Sequence, residues 1–108
     1  MIALHGRRIL AYGRPVDMRK SFKGLHELVI QHLAEEPLSG DAFVFLNRTG
    51  THLKCLLWDR TGFWIIAKRL ENGKFRLRCT ASKLEMDEKR LKLLMDGVKI
   101  GGNSLPAC

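Results

Sequence analysis

The spacing of hydrophobic positions changes character along the chain. Ile9-Leu10-Ala11-Tyr12 is a short apolar run stopped by Gly13-Arg14-Pro15, and it predicts an edge strand. Apolar residues then fall at Met18, Phe22, Leu25, Val29 and Leu33, with Leu28 filling in. Those steps put them on one helical face and predict an amphipathic helix of about 16 residues, with Asp17 as its N-cap. Glu35-Glu36-Pro37 ends the helix, and residues 38–41 form a loop.

Beyond the loop the chain turns to short β-rich runs. Residues 42–46, 53–58, 63–70 and 75–79 predict four strands, with turns at 47–50 and 59–62. Asn72-Gly73 between two apolar runs is a strong hairpin signal. The runs therefore predict a four-stranded antiparallel β-meander. The loop at 59–62 pairs Trp58 with Phe63 and Leu56 with Ile65. A two-residue loop at Asn72-Gly73 pairs Leu70 with Phe75, Arg69 with Arg76 and Lys68 with Leu77. One face then carries Val44, Leu53, Cys55, Leu57, Trp64 and Ile66, and the other carries Phe43, Phe45, Leu56, Trp58, Phe63 and Ile65. Both faces are partly apolar, so either the sheet is covered on both sides or its aromatic face binds something. A second helix fits residues 87–95, with Gly97 at its C-terminal end, and 101–108 reads as a frayed tail. The expected fold class is α+β: the meander, a long N-terminal helix and a shorter C-terminal helix, in one domain spanning 1–108.

Length and composition narrow the possibilities. A 108-residue chain, 45% hydrophobic and 28% charged, has room for one core and reads as globular. No apolar run approaches the roughly 20 residues that span a bilayer, and no secretory signal is visible. A cytoplasmic protein is expected, and a multidomain enzyme, a membrane protein or a disulfide-stapled toxin is excluded. Cys55, Cys79 and Cys108 form no CxxC or zinc spacing, and the four histidines form no HExxH. They read as reduced structural cysteines, with neither metal nor cofactor expected.

Charge changes the picture most. Nineteen Lys and Arg against eleven Asp and Glu give +8. Such an excess on so small a chain points to a polyanion, because basic groups gain affinity by releasing phosphate counterions. Arg14, Arg19, Lys20 and Lys23 cluster at the start of the first helix; Lys68, Arg69, Arg76 and Arg78 flank the last hairpin, and Lys54 lies between. These nine are the candidate DNA contacts. In the expected register Arg69 faces Arg76, a repulsion of up to about 1 kcal/mol. Either an anion sits there, or the register is off by one, or a carboxylate caps the pair. Trp58, Phe63 and Trp64 read as core rather than as base-stacking platforms. Asp17, Asp59 and Glu71 invite a two-metal reading, but the first is a helix cap and the others sit at turns, where such residues belong for local reasons.

Three motifs in order carry a family likeness. They are Val16-Asp17-Met18-Arg19-Lys20-Ser21-Phe22-Lys23-Gly24-Leu25; Phe43-Val44-Phe45 with Lys54, Leu57-Trp58-Asp59 and Gly62; and Ala67-Lys68-Arg69-Leu70-Glu71 with Gly73 and Phe75. Over roughly residues 10 to 98 the chain resembles the accessory proteins encoded by the second open reading frame (TnpB) of insertion-sequence-66-type bacterial transposons. These are unrelated to the RNA-guided nucleases of the same name. Ser21 stands where the family often has Gly, and Leu77 where it often has Trp. The resemblance implies a non-catalytic role in transposition beside a separate, larger transposase that carries the catalytic acidic residues; it supplies no catalytic residues. Transposon-end DNA and that transposase are the expected partners. The rivals are a protein–protein adaptor using the aromatic sheet face and a small metal-dependent nuclease using Asp17, Asp59 and Glu71.

Overall fold

Two apolar faces on one sheet require two covering layers, and the chain supplies them. The computed structural model describes residues 4–78, 81–98 and 100–101. In chain order the elements are β1 (Ile9–Tyr12), α1 (Phe22–Gln31), a 3₁₀ turn (Pro37–Ser39), β2 (Ala42–Leu46), β3 (His52–Trp58), β4 (Phe63–Arg69), β5 (Leu77–Arg78), β6 (Lys83–Met86), α2 (Glu88–Met95) and β7 (Ile100–Gly101). The main sheet has five strands in the order β4-β3-β2-β1-β6, and β5 pairs with β7 in a separate two-stranded ladder.

The class is α+β, but the sheet is mixed and the expected four-stranded antiparallel meander is not formed. β1 lies parallel to β2 and antiparallel to β6, so it is an interior strand and not an edge. The crossover through α1 explains the parallel pair, since a helix between two neighbouring strands returns the chain to the same end of the sheet. β6 is a short alternating run in which Leu84 and Met86 are buried while Lys83 and Glu85 are exposed.

The central hairpin follows the expected register. Trp58 pairs with Phe63, Leu56 with Ile65 and Cys55 with Ile66. The last hairpin does not form. The Phe75 N–H donates to the Gly50 carbonyl at 2.7 Å, and the Phe75 ring is buried against the sheet. That anchorage carries the chain across the sheet rather than back along β4. Arg69 therefore lies opposite His52, and the Arg69–Arg76 confrontation does not arise.

The first helix is shorter than its apolar stripe. The Asp17 carboxylate accepts from the Arg19 backbone N–H at 2.9 Å, closing a turn rather than capping a helix. The helix starts after Ser21, whose side chain makes no capping bond. At the other end Ala34 takes a left-handed conformation (φ 53°) and the Glu35 N–H reaches the Val29 carbonyl. Met18 and Leu33 still pack against the sheet, from the flanking turns, which is why the periodicity outruns the helix. The second helix starts where expected: Asp87 caps it by accepting from the Arg90 N–H at 2.8 Å. It ends with Gly97 at φ +84°, with Gly97 and Val98 N–H groups bonded to the Leu94 and Leu93 carbonyls.

Both sides of the sheet are covered. Leu10, Phe43, Phe45 and Leu56 pack against Leu25, Val29 and Leu33 of the α1 region. Ile9, Val44, Cys55 and Leu57 pack against Phe75, Leu91 and Leu94.

Candidate nucleic-acid interface

Because β1 and β2 are parallel, the segments that follow them leave the sheet side by side. Val16 N–H donates to the Leu46 carbonyl at 2.8 Å, tying the two exits together. The segment around Lys74–Leu77 closes the third side through the Phe75–Gly50 bond. Two glycines permit this crowding. Gly50 has φ +72°, and a Cβ there would stand 2.8 Å from the Phe75 carbonyl oxygen. A Cβ on Gly13 would stand 2.1 Å from the Ala81 carbonyl oxygen.

The turn after β2 is built by the Asn47 side chain. Its Oδ1 accepts from the backbone N–H groups of Thr51 (2.9 Å) and His52 (3.0 Å), while its Nδ2 donates to the hydroxyls of Thr49 and Thr51. Arg48 is thus carried on a turn with its own internal bracing.

Between these segments lies a cleft of about 500 Å³ whose lining includes Arg14, Arg48, Lys74 and Arg76. All four are exposed, and none forms an ion pair with a carboxylate of the described residues. No Asp or Glu among the described residues lines the cleft. Like charges gathered without counter-charges raise the local positive potential and favour an anion.

The other candidate contacts are placed differently. Lys54 Nζ donates to the backbone carbonyls of Met18 and Lys20, both at 2.8 Å, and so holds the turn ahead of α1. Lys68 Nζ donates to the Met95 carbonyl at the end of α2 (2.8 Å). Arg19 pairs with Asp17 and Arg69 with Glu71. Lys20 and Lys23 are exposed near the start of α1, away from the cleft lining. Arg78 lies on β5, with its side chain outside the described residues. Arg14 and Arg76 are thus the two expected contacts that the fold brings together, and Arg48 and Lys74 join them. From the sequence, Arg48 reads as an ordinary turn residue and Lys74 as part of a hairpin that does not form. The parallel β1–β2 pair was the missing signal.

Several other basic residues are spent on the fold. Arg8 bridges Glu35 and Asp41, and Lys83 also meets Glu35, which holds the Glu35 carboxyl below its usual range. Arg7 Nη1 donates to the Gly40 and Trp58 carbonyls.

Asp17, Asp59 and Glu71 are not assembled. Each bonds within its own local segment, and no group of three or more His, Cys, Asp or Glu among the described residues could hold a metal ion. Asp59 Oδ1 accepts from the Thr61 hydroxyl and the Thr61 and Gly62 N–H groups, and its Oδ2 accepts from the Trp64 indole N–H at 2.6 Å. Those donors, the indole first, hold its pKa down to about 2; the Arg19 guanidinium does the same for Asp17. Trp58 and Phe63 are half-buried, with their rings tilted at 57° and centroids 5.0 Å apart, whereas Trp64 is half exposed. Burial pushes the Cys55 thiol up to about 12, leaving it unreactive at neutral pH. Cys79 and Cys108 lie outside the described residues. No helix among the described residues is long and apolar enough to cross a membrane.

The fold and the cleft define a small basic α+β protein with a cationic recess at one end of a mixed sheet. Residues 7–104 match the family described as IS66 Orf2 like protein, and the chain belongs to that family. It is 36% identical over 94 residues to the uncharacterized protein y4jC of Sinorhizobium fredii, covering 86% of this chain and 80% of that one. It is 41% identical over 59 residues to the uncharacterized protein y4hO of the same organism, covering 55% of this chain and 51% of that one. No solved structure matches. Membership indicates an accessory role associated with transposition, in a family not known to be catalytic.

Proposed function

We propose that the chain is a DNA-associated accessory factor of a bacterial insertion element, and that it engages the nucleic-acid backbone through the cleft of Arg14, Arg48, Lys74 and Arg76. One observation carries this reading: four exposed cations share a recess that no carboxylate of the described residues lines. Phosphate contacts of this kind fix position and add affinity without reading sequence. On this reading the ligand is DNA of the element's ends, and a separate, larger transposase is the protein this factor assists.

The test compares binding of a labelled duplex by the native chain, by Arg14→Ala/Arg76→Ala, and by Lys89→Ala/Arg90→Ala on α2 outside the cleft. The cleft variant should bind every duplex more weakly and lower the steepness of the log–log salt dependence by about 1.8. The α2 variant should bind like the native chain. Equal binding by all three proteins overturns the reading, and a contact with the transposase alone then takes its place.

A further inference from the structure

β4 is an unusual edge strand. It has seven residues, pairs among the described residues with β3 alone, and reads Phe63-Trp64-Ile65-Ile66-Ala67-Lys68-Arg69. Ala67 is exposed in mid-strand and Trp64 is half exposed. The opposite edge, β6, is four residues long and alternates charged and buried positions. A long apolar edge is a template for another strand, and stable proteins usually blunt it.

The hydrogen-bond phase shows which groups that edge offers. Asp59 N–H donates to the Gly62 carbonyl and Leu70 N–H to the Thr51 carbonyl, so within the β3–β4 register Trp64, Ile66 and Lys68 direct their backbone groups to β3. The N–H and C=O groups of Phe63, Ile65, Ala67 and Arg69 therefore face outward along the free edge.

We propose that this edge pairs with the β4 of a second copy of the chain, antiparallel about a two-fold axis at Ile66. In that register Phe63 meets Arg69 of the other copy and Ile65 meets Ala67, using every outward group of the strand. Trp64 then meets Lys68 in the closely spaced, non-hydrogen-bonded pairs. The match is also electrostatic. Asp59 fixes the Trp64 indole at the strand's start, while Lys68 is a cation on the same face at its end, so antiparallel pairing sets a carboxylate-anchored ring against a cation at both ends of the seam. The contact is isologous and closes at two copies.

The helix layer supports the same occupant. Phe22 and Ile30 of α1 are about half exposed, and they share a helical stripe with His26, whose ring packs edge-on against Phe63 of β4 at 5.5 Å. The exposed apolar stripe thus lies on the β4 side of the sheet, beside the seam. The pairing uses none of the cleft residues, so it stands or falls apart from the DNA reading.

The experiment is the molar mass of the full chain in solution by sedimentation equilibrium at micromolar concentration. The native chain should give twice 12.3 kDa. Ala67→Pro removes an outward N–H that β3 does not use, so it should give a folded monomer with an unchanged far-ultraviolet spectrum. Ala67→Glu, which sets a carboxylate against Ile65 of the other copy at a position exposed in the single chain, should also give the monomer, and it decides the matter should the proline variant lose its fold. A native chain that is monomeric throughout overturns the proposal, as does a folded Ala67→Pro or Ala67→Glu variant that remains dimeric. A native monomer that takes up one copy of the transposase along this edge overturns it equally.

Discussion

Asp59 concentrates four hydrogen bonds on one carboxylate, from two backbone N–H groups, a hydroxyl and the Trp64 indole. All are better acceptor contacts when the group is ionised, so its pKa falls from 3.8 to about 2. A depressed folded-state pKa contributes stability that is present above the unfolded value and is lost as the pH drops through the folded value. Thermal melting should therefore show native stability declining between about pH 4 and pH 2, and Asp59→Asn should flatten that decline. The Asn side chain also turns a donor towards either the indole or the turn's N–H groups, so the variant should melt lower at pH 7. Gly50 is a second such position. Alanine there meets both a left-handed φ and the Phe75 carbonyl oxygen, and Gly50→Ala should lose about 1–3 kcal/mol in denaturant unfolding. Asp59 was legible in the sequence as a turn residue, because Asx turns are local. Gly50 was legible as a turn glycine, but its contact with Phe75 was not, because that contact is made by a segment twenty-five residues away.

The elements divide along the same line. The register of the β3–β4 hairpin was legible, and its strand ends to within one residue, since a short loop and two alternating strands fix each other's pairing. The helix capped by Asp87 was legible for the same local reason. The Asn72-Gly73 hairpin failed because burial of Phe75 outweighs the local turn preference, and β6 was missed because Lys83-Leu84-Glu85-Met86 carries little strand propensity of its own. Lys54 illustrates how far a charge may be diverted to building an element. Its ammonium group satisfies two backbone carbonyls in the turn before α1. Lys54→Met should therefore destabilise the fold by about 1–3 kcal/mol, because two polar groups lose their partner. Its salt dependence of DNA binding should match that of the native chain. Asp87→Ala should destabilise by about 1 kcal/mol through loss of the α2 cap, measured by urea unfolding.

Across the whole molecule, a net charge of +8 said that a polyanion was a reasonable partner without saying where it would sit. The fold sorts the cations. Arg7, Arg8, Lys54, Lys68 and Lys83 tie segments together, Arg19 and Arg69 pair with neighbouring carboxylates, Lys20, Lys23, Arg60, Lys89, Arg90 and Lys92 stand exposed elsewhere, and Arg14, Arg48, Lys74 and Arg76 are gathered in one recess. That sorting depends on the parallel β1–β2 pair, which no local signal encodes. Because the recess holds four cations, the decisive measurement is the salt dependence of binding to duplex DNA by the full chain. Four phosphate contacts predict a log–log slope of about −3.6 for the native chain. A slope near zero would contradict the account, because it would mean that binding releases no phosphate counterions.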